Sequence, residues 1–150
     1  MADRIPTPFD LRPLAAADVS PCVALCRDAY AALGRGPAPA AATLERLLCD
    51  MLRLFPDECF VAESDGTVQG FILCSSLAGV RATIEEFAVA PASQGQGVGT
   101  ALLEHVLSRC RQRGVTHVEL VADRGTPAYS FYHRHGFRES LDYRLMSLTP

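Results

Sequence analysis

Nowhere in the 150 residues do about 18 consecutive apolar residues occur, the length a helix needs to cross the hydrocarbon core of a bilayer, so no membrane partner is expected. No apolar segment follows a basic start at Met1-Ala2-Asp3-Arg4-Ile5-Pro6, so no secretory leader is read there and the expected location is the cytoplasm. Positive charge is not in excess. Fourteen Lys and Arg against 17 Asp and Glu leave a formal charge of −3, which argues against a nucleic-acid partner and is compatible with a cationic one. Internal repeats, heptad runs and low-complexity tails are also lacking. Six cysteines (Cys22, Cys26, Cys49, Cys59, Cys74 and Cys110) are scattered among Leu, Val and Phe. No His or second Cys pair stands near Cys22 and Cys26 to complete a zinc site, and His133 and His135, two apart, fall on different faces of a helix. The cysteines are read as reduced, mostly buried small hydrophobes, and no metal is expected.

What is present suits a single domain over residues 1–150. Apolar residues make up 49% and charged residues 21%, close to globular averages, and a chain of this length can bury roughly 68–70% of its unfolded surface. Phe9–Leu14 reads as an opening strand. Asp18 or Ser20 can cap a helix carrying Val19, Cys22, Val23, Cys26, Ala29, Tyr30 and Leu33 at three- and four-residue spacing, ended by Gly34. After the loop Arg35–Pro39, Thr43 starts a second helix with Leu44, Leu47, Leu48, Met51, Leu52 and Phe55 on one face, closed by Pro56. The period then changes to two. Glu58–Glu63 and Thr67–Ser75 are joined at Asp65-Gly66, a hairpin signal, and Ala82–Ala90 is a third strand ended by Pro91. A helix from Val98 to Cys110, a strand at Val115–Val121, a short helix at Pro127–His135 and a last strand at Tyr143–Leu148 complete the order β-α-α-β-β-β-α-β-α-β. Helices on both faces of a mostly antiparallel mixed sheet, with one parallel crossover, define an α/β class.

Gln94-Gly95-Gln96-Gly97-Val98-Gly99 lies between a strand and a helix, where glycines let a ligand approach the backbone and the first helical turn offers unpaired N–H groups at the positive end of the dipole. A pyrophosphate suits such a loop. No Lys-Ser/Thr follows the last glycine, which excludes a P-loop, and a dinucleotide fingerprint fits only partly because Thr100 stands where its third glycine belongs.

Gln94-x-x-Gly97-x-Gly99, placed after Phe87-Ala88-Val89-Ala90-Pro91, resembles the acyl-CoA motif of the GCN5-related N-acetyltransferases. Ala128-x-x-Phe131-Tyr132-x-x-x-Gly136-Phe137 is similar to the late helix of that family, and the order of elements matches it over the whole chain. The resemblance implies acetyl-CoA as co-substrate and no metal. The strand segment Phe87, Ala88 and Val89 would hold the pantetheine arm, with backbone groups of Phe87 and Val89 pairing its amides. The loop Gln94, Gly95, Gln96, Gly97, Val98, Gly99 and Thr100 would hold the pyrophosphate. Tyr132 falls at the general-acid position, where a phenol with an ordinary pKa near ~10 stays protonated and can donate to a departing thiolate.

The base implied by the resemblance is Glu85, with Glu86 as the alternative. On a regular strand the two side chains point to opposite faces, so only one can face an acceptor cleft. The implied reaction is direct acetyl transfer to a primary amine: a small molecule, a protein N-terminus or a lysine. A non-catalytic acyl-CoA-binding regulatory module is the competing expectation. Tyr30, Arg35, Glu85 and Tyr143 are candidate acceptor-lining groups. Gly125 stands where many relatives carry Asn, seven residues before the tyrosine, and Thr126 or Ser130 is a candidate replacement. A homodimer is an expectation of the resemblance alone.

Overall fold

The computed structural model describes residues 8–77 and 79–150. Its five-stranded sheet runs in sequential order, β1 (Asp10–Pro13), β2 (Cys59–Ser64), β3 (Thr67–Leu77), β4 (Arg81–Val89) and β5 (His117–Glu119). The first four are antiparallel and β5 joins β4 in parallel. Among the described residues the α-helices are α1 (Val19–Leu33), α2 (Ala41–Leu54), α3 (Val98–Gln112) and α4 (Pro127–Arg134). The α3 helix is the crossover between the parallel strands, because a parallel pair cannot be closed by a tight turn.

Alternation along β2 and β3 sorts the core. Cys59, Val61, Phe71 and Leu73 pack with Cys22, Leu25 and Cys26 of α1 and Leu44, Leu48 and Met51 of α2. On the opposite face Phe60 meets His105 of α3 edge-on at 4.4 Å, and α3 buries Val98, Leu102, Leu103, Val106 and Cys110. All six cysteines are free thiols, and only Cys49 is exposed. Burial pushes the Cys22 and Cys26 thiols up to about 12, as expected of inert core residues.

Ion pairs fix the ends of these elements. Arg12 on β1 donates to Asp18 at 2.7 and 2.8 Å and to Glu63 on β2 at 2.7 Å. Asp18 also accepts from the Ala15 N–H, so its carboxylate organises the turn before α1 rather than capping the helix through its side chain. At the far end of α3, buried Glu58 accepts from Ser76 and pairs with Arg113.

By its own contacts the chain divides into two compact units, residues through Leu120 and Val121–Pro150. In the second, Thr126 caps α4, its hydroxyl oxygen accepting the Tyr129 N–H at 3.3 Å while donating to the Asp123 carbonyl at 2.7 Å. Arg124 pairs with Glu139 through two hydrogen bonds of 2.8 and 2.9 Å.

Two expected strands differ. Val115–Val121 shortens to His117–Glu119, since the Val115 N–H closes the end of α3 on the Cys110 carbonyl at 3.0 Å and the ladder with β4 covers only Arg81–Thr83. Tyr143–Leu148 is not a strand. A strand exists only where a partner completes its hydrogen bonds, and here the segment bonds locally: Ser140 Oγ accepts from the Tyr143 N–H, and Arg144 donates to the carbonyls of Leu141 and Tyr143. Its apolar side chains stay exposed.

Candidate active site

In the first unit the sheet opens beside β4. Pairing with β5 stops at Thr83, whereas β4 continues to Val89. Opposite β3, Gly70 faces Val89 and Ile72 faces Phe87, and the Ala90 N–H donates to the Gln69 carbonyl at 2.8 Å. Antiparallel ladders alternate between pairs that exchange hydrogen bonds and pairs that do not. That register makes Ala88 a bonded partner of Phe71 and turns the main-chain groups of Phe87 and Val89 away from β3. Ala88 also buries its side chain in the α1–α2 core. Phe87 and Val89 are therefore the residues that present polar backbone to the outer edge. Each presently meets a side chain there: the Phe87 N–H donates to Glu86 Oε1 at 3.2 Å, and the Val89 carbonyl accepts from Gln94 Nε2 at 3.3 Å.

The edge runs into the glycine loop. Pro91–Ser93 forms one tight turn, and buried Ser93 donates its hydroxyl to the Gln69 side chain on β3, which fixes where the loop begins. Gln96 steadies its own side chain on the Ala92 carbonyl at 2.9 Å. Gly95 (φ +75°) and Gly97 (φ +86°) adopt left-handed backbone, which a side chain at either position would strain. Gly97 stands at the N-cap of α3, and the first helical hydrogen bond runs from the Ala101 N–H to its carbonyl at 3.0 Å. The N–H groups of Val98, Gly99 and Thr100 thus have no intrahelical acceptor. Gly95, Gln96 and Gly97 are exposed, whereas the Val98 side chain is buried against the sheet. This is a helix N-terminus with an open approach, suited to an oxyanion.

A further reason for the close seating of α3 is Gly70. A Cβ there would lie 3.0 Å from the Ala88 carbonyl oxygen, 3.1 Å from Val98 Cγ1 and 3.2 Å from Leu102 Cδ1.

The two glutamates do not follow strict alternation. The register shifts between Leu73 and Cys74, so that Leu73 pairs with Glu86 and Cys74 with Ile84, leaving Glu85 as an extra residue. Such a bulge places two consecutive side chains on one face. Glu86 reaches α1, where the Tyr30 hydroxyl donates to Oε2 at 3.5 Å, and exposed Glu85 accepts from Ser75 Oγ at 2.5 Å on the face of Leu73. The expectation that they point to opposite faces is thereby corrected. Burial pushes the Glu86 carboxyl above the ordinary carboxylate range, opposed by the hydrogen bonds from Phe87 and Tyr30. Tyr30 is pushed up to about 12, first by burial and then by the Glu86 charge.

In the second unit, Tyr132 lies on α4, 9% exposed, its ring 5.4 Å from Phe131 and 5.5 Å from Phe137. Thr126 commits its hydroxyl to the cap of α4, so it cannot replace an asparagine amide at Gly125 without giving up that role. Among the described residues no group of three or more His, Cys, Asp or Glu is arranged to hold a metal, and no helix is long and apolar enough to cross a membrane.

Comparison with known proteins agrees with this geometry. Over 76 residues, 49% of this chain and 40% of the relative, the sequence is 40% identical to a streptothricin acetyltransferase of Streptomyces lavendulae. The matched segments span about two fifths of the length of the curated relatives. The fold is similar to that of Ard1 from Thermoplasma volcanium, with a TM-score of 0.73 and 28% identity over 89% of this chain and 84% of that one. It is also similar to a GNAT family acetyltransferase from Brucella melitensis solved with acetyl-CoA, with a TM-score of 0.67 and 25% identity over 89% and 85% of the two chains. Residues 25–137 match the acetyltransferase (GNAT) family, and the chain belongs to that family.

Proposed function

We propose that this protein is an N-acetyltransferase that moves the acetyl group of acetyl-CoA directly to a primary amine. The observation that carries the reading is that the outer edge of β4, unpaired with β5 beyond Thr83, leads into the N-terminus of α3; backbone groups of these two kinds suit an extended amide-bearing arm followed by a diphosphate. The acetyl-CoA complex of the Brucella melitensis relative supports the choice of donor.

The chemistry has three demands. The acceptor ammonium must lose a proton, the carbonyl carbon must accept the nitrogen lone pair, and the carbon–sulfur bond must break with a proton delivered to sulfur. Glu86 is assigned the first. Its burial raises its proton affinity, and it accepts the hydroxyl of half-exposed Tyr30. Glu85, exposed on the same face, is assigned to attract the cationic acceptor. Tyr132 is assigned the proton to sulfur by its position in the family motif. Gln94 to Thr100 hold the diphosphate, and Phe87 and Val89 hold the arm.

The acceptor belongs to the class of small amines, protein N-termini or lysines. The name of the Streptomyces relative, a streptothricin acetyltransferase, favours a small amine. Release of free CoA thiol on adding acetyl-CoA and a panel of amines tests the reading. Turnover with at least one amine, lowered about 100-fold in Tyr132→Phe with the donor KM kept, is the expected result. Tight CoA binding without turnover of any amine supports the regulatory-module reading instead, and unchanged rates in the variant remove Tyr132 from the acid role.

A further inference from the structure

The hydrogen bonds on the outer edge of β4 are not equivalent. A carbonyl oxygen has two lone pairs, so Val89 can keep the Gln94 amide and still accept from a ligand. A main-chain N–H has one hydrogen, and that of Phe87 is directed at Glu86 Oε1. A ligand carbonyl, amide or thioester, that pairs with the same N–H must displace the carboxylate. We propose that the bound donor takes the Phe87 N–H away from Glu86, so that donor occupancy and protonation of Glu86 are linked through one shared hydrogen. This rests on the reading of the β4 edge as the donor site.

The sign follows from what the bond stabilises. The Phe87 N–H favours the ionised carboxylate, and its loss strengthens the pull of Glu86 on a proton, in the same direction as its burial. From α1, Tyr30 and Cys26 face the carboxylate, and both stay neutral because burial raises each to about 12. From β3 come Leu73 and Ser75, which do not titrate, and on β4 itself Glu85 is turned to Ser75. Glu86 is therefore the group here whose protonation responds to a change in its hydrogen bonds while these neighbours keep their charge. The consequence is an order of events: with the edge empty the Phe87 N–H favours the ionised carboxylate, and with the donor seated Glu86 becomes a stronger acceptor for the proton of an incoming ammonium. Linkage is reciprocal, so the donor binds more tightly to the protonated form.

The test is a titration of carboxyl-labelled protein by carbon-13 NMR, with the Glu86 signal assigned by its loss in Glu86→Gln, carried out alone, with CoA and with adenosine 3′-phosphate 5′-diphosphate. The second ligand carries the phosphates without the amide arm. The Glu86 midpoint is expected to move up with CoA and not with the nucleotide lacking the arm, and CoA affinity to weaken about tenfold as pH rises through the transition, the effect of losing one hydrogen bond to a charged group. Bound CoA with an unmoved midpoint, or equal movement with both ligands, overturns the linkage and leaves the donor site standing. No binding of CoA overturns both.

Discussion

Tyr30 of α1 donates its hydroxyl to the Glu86 carboxylate of β4 across 3.5 Å, in the part of the α1–β4 interface where a bulge has turned Glu86 toward the helix. A carboxyl whose folded pKa is raised above its unfolded value adds stability fully present below the unfolded pKa and lost as pH rises through the folded one. Once ionised, Glu86 is therefore a burden on the fold. Glu86→Gln should be at least as stable as the parent at pH 7 by thermal melting, while kcat/KM falls about 100-fold or more. Glu85→Gln, at an exposed site, should alter stability by no more than about 0.5 kcal/mol. The acid limb of the rate profile should lie above the ordinary carboxylate range and disappear in Glu86→Gln.

Asp18 shows the opposite sign. Hydrogen bonds from Arg12 hold its carboxyl below the ordinary range, so its contribution is present above the unfolded pKa and lost as pH falls through the folded one. Asp18→Asn should cost about 2 kcal/mol at pH 7 in urea unfolding, the scale of a hydrogen bond to a charged partner. The difference from the parent should shrink as the pH falls through the folded-state transition.

Gly70→Ala tests the seating of α3. The added methyl meets the main chain of Ala88 at 3.0 Å, a neighbour that cannot swing aside. Overpacking of this kind costs about 1–3 kcal/mol. Because the side-chain contacts at risk are Val98 and Leu102, in the first turns of α3, CoA affinity should fall together with the melting temperature.

Much of this was legible in the sequence because the signals were local. The apolar spacing of α1 and α2, the Asp65-Gly66 hairpin and the strand–glycine loop–helix sequence at Pro91–Val98 each depend on a few neighbouring residues. The bulge at Glu85 was not legible, since no Gly or Pro marks it and it arises from the register of β4 against β3. That single inserted residue reversed the expected relation of the two glutamates. The choice of Phe87 and Val89 over Ala88 came from the family resemblance rather than from a local signal, because which backbone groups face outward is a property of the ladder. Tyr143–Leu148 carried strand-forming residues, but no partner completes a ladder with it among the described residues.

Isothermal titration of CoA into the parent and Gly97→Val proteins, with circular dichroism confirming that both are folded, tests the donor site most directly. Gly97 holds left-handed backbone at the N-cap of α3, and a valine there costs about 1–2 kcal/mol in the conformation that aims the loop amides. Binding by the parent, weakened about tenfold or more in the variant, is the predicted result. No heat with the parent, or equal affinity in the two proteins, would contradict the account.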